Sequence, residues 1–252
     1  MISRLTGSKF ADRVGSGGIT VLANGNFVVV SYLWDNGALQ NAGAVTWVNG
    51  FTGLNGEVSA ANSLVGSLAS DFAGHYSNSA SPGGVTALSN GHYVVGSPSW
   101  DSPPAAGSTA SNISDAGAVT WGNGATGTAG IISSENSLTG SFTSDRVGIG
   151  NGDNGVVEVG KGNYVVLSPS WRNGTLDSAG AVTWCDGSTG RAGKLGTANS
   201  LTGSSANDRV GGSPGKKSIT VLTNGNYVVA SPWWKNGAMA SAGAATDRKS
   251  VV

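Results

Sequence analysis

Apolar and polar positions along this chain form short runs that close on Gly, Asn or Pro. Asn26-Phe27-Val28-Val29-Val30 and Asn226-Tyr227-Val228-Val229-Ala230 are representative, with β-branched and aromatic residues between turn formers, the signature of strands joined by tight turns. No window holds a 3.6-residue apolar period over three turns, and each interior glycine would cost a helix about 1 kcal/mol relative to alanine. The pattern predicts an all-β chain.

The same pattern recurs. Ala-Gly-Ala begins at Ala42, Ala116, Ala179 and Ala242, with spacings of 74, 63 and 63, and three copies continue to Trp47, Trp121 and Trp184. An Asn-Gly-Asn-Phe type turn at Asn24, Asn90, Lys161 and Asn224 leads into a Val-rich run and then to Trp34, Trp100, Trp171 and Trp234. Ser-Leu-x-Gly-Ser begins at Ser63, Ser137 and Ser200, with an echo at Arg4; Asp-Arg-Val-Gly begins at Asp12, Asp145 and Asp208, with a degenerate copy at Asp71. Such self-similarity marks a repeat architecture.

Each unit parses into four strands, in the first copy about Arg13 to Ala23 (A), Asn26 to Leu33 (B), Ala42 to Val48 (C) and Glu57 to Ser67 (D). The Asn-Gly between A and B predicts a type I′ hairpin. Strand B is apolar on both faces, which predicts a sheet covered on both sides. The expectation is a β-propeller of four four-stranded antiparallel blades in one domain, at about 9–67, 68–141, 142–204 and 205–252 plus 1–8. The last copy ends without a strand D, and Arg4 to Ser8 is expected to supply it, closing the last blade with the N-terminal strand. Two chains exchanging that segment into an eight-bladed ring are the alternative to a monomer. The tail Asp247 to Val252 matches nothing in the repeat and equals the translation of a common sequencing adaptor. The natural reading frame is therefore expected to depart at about Thr246 and the protein to continue with more repeats, which makes a fragment of a longer array a further alternative.

Composition narrows the function. The 14 Lys+Arg equal the 14 Asp+Glu, so the clustered positive charge of a nucleic-acid binder is missing. No apolar run approaches the ~18 residues of a spanning helix, so no membrane insertion is expected. One Cys, Cys185, and two His, His75 and His92, offer little to a metal centre or triad. His75 is expected to be solvated in a loop, His92 to be a variant of the Asn that opens strand B, and Cys185 to be a structural thiol. The recurring Asp is expected to cap a turn, with its neighbouring Arg as ion-pair partner. No catalytic residue, metal site or cofactor is assigned.

At Asp12-Arg13-Val14-Gly15 and its copies, Val94-Val95-Gly96-Ser97-Pro98 and Ala118-Val119-Thr120-Trp121, the chain resembles the FG-GAP repeats of integrin-α-type propellers. It is also similar to the Trp-rich repeats, Ser-Pro-x-Trp-x-Asn-Gly followed by Ala-Gly-Ala-Val-Thr-Trp, of large bacterial secreted haemagglutinin-like adhesins. The resemblance implies a propeller-like fold and a secreted or cell-surface setting, although the first residues, MISRLTGSKF, lack the apolar core of a signal peptide. FG-GAP blades often carry a calcium loop between strands A and B, which needs several carboxylates. Here Asn24-Gly25-Asn26 and its copies supply none, and Gly150 to Gly155 supplies only Asp153.

Two Trp classes emerge. Trp47, Trp121 and Trp184 end strand C and are expected between blades. Trp34, Trp100, Trp171 and Trp234 lie in the B-to-C connections beside Asn36, Asn173 and Asn236, and form a candidate glycan or protein platform; the alternative is that each caps its own blade. The expected function is a non-enzymatic structural or adhesive recognition module. A lectin with several related sugar sites and a propeller glycosidase are the alternatives. The second copy carries the largest departure from the repeat, a polar insertion at Asp101 to Ser111.

Overall fold

The computed structural model describes residues 3–76, 84–150, 155–212 and 217–248. Every regular element is a strand. A short strand β1 (Leu5–Thr6) precedes four units. The first holds β2 (Ile19–Val21), β3 (Phe27–Ser31), β4 (Ala44–Val48), β5 (Gly56–Glu57) and β6 (Ser63–Val65). The second holds β7 (Val85–Ala87), β8 (Tyr93–Ser97), β9 (Ala118–Gly122), β10 (Gly130–Ile131) and β11 (Ser137–Thr139). The third holds β12 (Val156–Gly160), β13 (Asn163–Ser168), β14 (Ala181–Cys185), β15 (Gly193–Lys194) and β16 (Leu201–Thr202); the fourth holds β17 (Ile219–Val221), β18 (Tyr227–Ser231) and β19 (Ala244–Arg248).

Each unit is an antiparallel meander, but the expected strand D is split. In the first unit β2, β3, β4 and β6 pair in that order, while β5 leaves the sheet to lie beside β1. A turn at Ser59 to Asn62 makes the break. Asn62 accepts from Ser59 N at 2.9 Å and donates to the Glu57 carbonyl at 2.9 Å, and Asn136 and Asn199 repeat this. The detached piece serves the preceding unit: β10 pairs in parallel with β6, and β15 with β11. The first three units are thus joined at sheet edges as well as face to face, whereas the fourth meets the third face to face, with no edge strand between them among the described residues.

Ring closure by the N-terminal strand is not what the strands do. Leu5 and Thr6 pair in parallel with Gly56 and Glu57 of the first unit, and β19 pairs with β18 alone among the described residues. Arg4 to Ser8 is a strand D by sequence, but it occupies the D position ahead of the first unit rather than that of the fourth. The type I′ expectation also needs correction. In the first unit Gly25 has φ 84° while Asn24 stays out of the left-handed region, because its Oδ1 accepts from Asn26 N at 3.2 Å. Only Lys161-Gly162 has both central φ values positive, 53° and 81°.

The core lies between sheets, which explains why strand B is apolar on both faces. Val28, Val30, Val45 and Leu64 of the first unit meet Val85, Tyr93, Val95 and Trp100 of the second. Val94, Val119 and Leu138 then meet Tyr164, Val166 and Trp171, and Val165, Leu167 and Val182 meet Ile219, Tyr227 and Val229. A hydroxyl pair links strands C and D in the first three sheets, Thr46 with Ser63 and Thr120 with Ser137 buried and Thr183 with Ser200 partly buried, all at 2.7 Å.

Candidate functional site

The edge formed by the B-to-C connections is built around one buried carboxylate per unit. Asp12 accepts from the backbone N–H of Ser8 and Lys9, both at 2.8 Å, and through its other oxygen from Asp35 N at 3.1 Å. Asp71 repeats this with Ser67, Leu68 and Asp101, at 2.7, 2.8 and 2.9 Å. Asp145 does so with Ser141, Phe142 and Arg172, and Asp208 with Ser204, Ser205 and Lys235. The carboxylate therefore ties the end of one unit's last strand to the residue that follows the next unit's Trp. The expected Arg partner is absent from this knot: Arg146 instead pairs with Asp115 at 2.9 Å. Backbone donors satisfy the charge through charge-assisted hydrogen bonds.

The rest of the Asp-Arg-Val-Gly motif follows from the same corner. The residue after each Asp takes left-handed backbone, at φ 43° for Arg13 and 47° for Phe72, Arg146 and Arg209. Gly74 and Gly148 then donate to Ser97 Oγ and Ser168 Oγ at 3.0 and 3.2 Å. Against this turn packs the Ala-Gly-Ala of the preceding unit. Ala73, Val147 and Val210 donate to the carbonyls of Ala42, Ala116 and Ala179 at 3.0 to 3.1 Å. A Cβ on Gly43, Gly117 or Gly180 would collide with that same backbone, so glycine is required there for close approach.

Burial pushes the Asp71 carboxyl up to about 6, against the pull of its backbone hydrogen bonds and of Ser67, and raises Asp145 by the same cause. Neither is exposed. These carboxylates are structural anchors.

Trp34, Trp100 and Trp171 are buried, and Trp234 is half-buried. Their rings pack into the cores between sheets, and Trp100 Nε1 donates to Ser67 Oγ at 2.9 Å. The expected platform of exposed rings is therefore not present at the first three positions: the preceding unit covers Trp100 and Trp171, and Leu5, Val14 and Val58 cover Trp34. Asn36, Asn173 and Asn236 do lie on the edge. Each opens a two-residue turn closed by reciprocal hydrogen bonds, with Leu39, Leu176 and Met239 respectively. Gly37, Gly174 and Gly237 occupy the first central position with φ near 60°, as a type II′ turn requires.

The insertion of the second unit uses that same frame. Ser102 and Ile113 exchange reciprocal bonds at 3.0 and 2.9 Å, and residues 103–112 form an exposed loop between them apart from the bridge. Asp101 steadies its base, accepting from Asn112 Nδ2 at 2.8 Å and from Asp115 N at 2.7 Å.

The remaining candidates have structural places. His75 is half-buried rather than solvated: its ring stacks on Tyr32 with centroids 4.1 Å apart, and burial lowers its pKa. His92 accepts from Gly124 N through Nδ1 at 3.1 Å, as the Asn26 and Asn163 amides accept from Gly50 and Gly187, so it stands in for that Asn. Cys185 is buried, with its thiol pushed up to about 12. Trp47 and Trp121 donate to the carbonyls of Gly124 and Gly187 in the following unit, which is the expected place between units. No group of three or more His, Cys, Asp or Glu among the described residues is placed to hold a metal ion. Asp153, residues 77–83 of the loop after His75, and the tail from Lys249 lie outside the described residues. No helix among the described residues is long and apolar enough to cross a membrane.

No curated protein matches the chain. A family model does, four times over, at residues 21–75, 87–149, 158–212 and 221–249. Each match of the first three runs from the strand A or B region into the Asp corner of the following unit, so its frame spans the junction built by that carboxylate. The chain belongs to the family described as a repeat of unknown function (DUF5650).

Proposed function

We propose that this chain is a non-enzymatic structural and adhesive recognition module, whose stacked units are blades of a propeller-like array of the FG-GAP-like, adhesin-associated kind. The B-to-C edge is its ligand-facing side, and the ligand is a glycan or a protein. One observation carries this reading: the corners of all four units are alike, while the largest unit-specific elaboration, residues 103–112, is held on that edge by the Ser102 and Ile113 bridge. Binding residues concentrate on loops positioned by a rigid scaffold. The knotted carboxylates supply the rigidity.

Glycan arrays and immobilised extracellular-matrix proteins, probed with the wild type and with a variant whose residues 103–112 are replaced by Gly-Ala, test the proposal. Binding by the wild type that falls at least tenfold in the shortened variant, with the far-UV CD spectrum unchanged, is expected. Equal binding by both, or none to either class of surface, overturns it. The arm of the experiment that responds distinguishes a sugar from a protein ligand.

A further inference from the structure

A cavity of about 240 Å³ opens between the first two units, at the end of strand C that lies away from the B-to-C edge. Its walls include Trp47, Asn49, Leu54 and Asn62 of the first unit and Thr126 and Thr128 of the second. The junction around it is formed, with the parallel pair of β6 and β10 in place. The walls are held before any ligand arrives. Trp47 donates to the Gly124 carbonyl at 3.0 Å, and Gly127, at φ 79°, lies so near the indole that a Cβ there would come within 3.0 Å of the Trp47 side chain. Asn49 accepts from the N–H groups of Phe51 and Thr52 through Oδ1, at 2.9 and 3.0 Å, and its Nδ2 makes no hydrogen bond among the described residues. Asn62 is fixed by its own turn, and Thr128 Oγ1 accepts from Asn123 N at 3.0 Å.

We propose that this cavity binds one neutral hexopyranose ring, the terminal sugar of a glycan. No Lys, Arg, Asp or Glu contributes to its lining, so a charged ligand would shed water there without gaining a counter-charge. The half-buried indole, Leu54 and Ala61 offer apolar surface, and the amides and hydroxyls beside them offer hydrogen bonds. That mixture suits a ring with an apolar face and a rim of hydroxyl groups. The volume lies below the about 300–1,000 Å³ of sites for drug-sized ligands, which limits the occupant to a single ring. The repeat supplies its own controls. Leu54, Thr128 and Arg191 stand at one position after the strand-C Trp, and Ala61, Glu135 and Ala198 stand just before the turn Asn. The first unit is uncharged at both, whereas the second brings an acid and the third a guanidinium, whose Nε donates to the Trp184 carbonyl at 3.2 Å.

The inference rests on this cavity and not on what the B-to-C edge binds, so its failure leaves that reading untouched. The test is titration of the full chain with the methyl glycosides of glucose, galactose and mannose, read from the indole N–H signals in proton–nitrogen correlation spectra. The Trp47 signal is assigned by its loss in Trp47→Phe. At least one methyl hexoside is expected to shift it, saturating at about millimolar concentration, as befits a ligand of so few atoms. The glucuronide of the same configuration is expected to bind at least tenfold more weakly. Leu54→Arg and Ala61→Glu give the first unit residues that the third and second units carry, and Ala61 is exposed. Each is expected to weaken binding at least tenfold with the far-UV CD spectrum unchanged, while the variant shortened at residues 103–112 binds as the wild type does. A Trp47 signal that no methyl hexoside moves, equal binding of the glucuronide, or wild-type affinity in both cavity variants overturns the proposal. Loss of the shift in the shortened variant would assign the sugar to the B-to-C edge instead.

Discussion

The inner junctions and the last one are made of the same sequence motifs, yet they are not equally complete. Between the first two units the Gly124 carbonyl gathers Asn24, Asn26 and Trp47, and between the next two the Gly187 carbonyl gathers Asn90 and Trp121. At the last junction the buried Trp184 Nε1 has no partner among the described residues. Two cavities flank it, about 520 Å³ between Val156, Glu158, Lys217 and Val221, and about 410 Å³ between Trp184, Arg191, Tyr227 and Arg248. Beside Trp47 the corresponding space is about 240 Å³. Sheet-on-sheet packing is therefore only part of a junction. The excursion between strands C and D of the following unit supplies the acceptor carbonyl and the parallel strand that complete it.

That contrast can be tested by breaking each junction in turn. The largest effect is expected from Asp145→Ala, which strands three backbone N–H groups in a buried corner and should cost about 3–5 kcal/mol. Asp208→Ala removes the same number of bonds at the last junction. In a quasi-one-dimensional array it should release the fourth unit as a separate early transition while the first three units keep their midpoint. Urea unfolding followed by hydrogen exchange distinguishes the two, and a single transition in both variants would contradict the comparison.

A smaller effect comes from protons. The Asp71 carboxyl, raised to about 6 by burial, binds its proton more tightly folded than unfolded. Its stabilising contribution is complete below about pH 4 and is lost as pH rises through about 6, each tenfold difference in proton affinity being worth about 1.4 kcal/mol. Unfolding midpoints of the wild type measured against Asp71→Asn should converge or cross in that window; parallel curves would refute the assignment.

Next in size is the pair Trp121→Phe and Trp184→Phe. The first removes a hydrogen bond of 2.9 Å to Gly187 and should cost about 1–2 kcal/mol, the second measurably less, because its indole N–H has no partner among the described residues to lose. Equal costs in thermal unfolding would show that the last junction is as complete as the others. The smallest effect, of opposite sign, is expected from Ser144→Gly. Ser144 is exposed and holds φ 64°, so relief of its backbone strain should raise stability by up to about 1 kcal/mol.

Local features were legible in the sequence, and dependence between units was not. Strands B and C follow from β-branched runs bounded by Gly and Asn, and β3 and β4 fall within the expected limits. The pairing of Leu5 and Thr6 with Gly56 and Glu57 is parallel and spans half a hundred residues; no turn residue announces such a contact. Trp100 could be read from sequence either as a platform or as the cap of its own blade, and its burial against the sheet of the first unit depends on a neighbour that no local pattern specifies. Asp145 reads as an ion-pair partner of Arg146, and its actual donors are backbone groups that every residue type carries. The Asn that precedes each Ser-Leu, at Asn62, Asn136 and Asn199, was a visible signal of the divided strand D.

The bridge between Ser102 and Ile113 has one more consequence. Because the reciprocal bonds close below the loop, the strands beneath are insulated from whatever is spliced above, and doubling the length of the insert adds only about 0.6 kcal/mol of closure entropy. The homologous bridges at Asn36 and Leu39, Asn173 and Leu176, and Asn236 and Met239 are therefore interchangeable sockets. Foreign peptides of differing length could be mounted in them side by side, on a scaffold whose own registration does not change with its cargo.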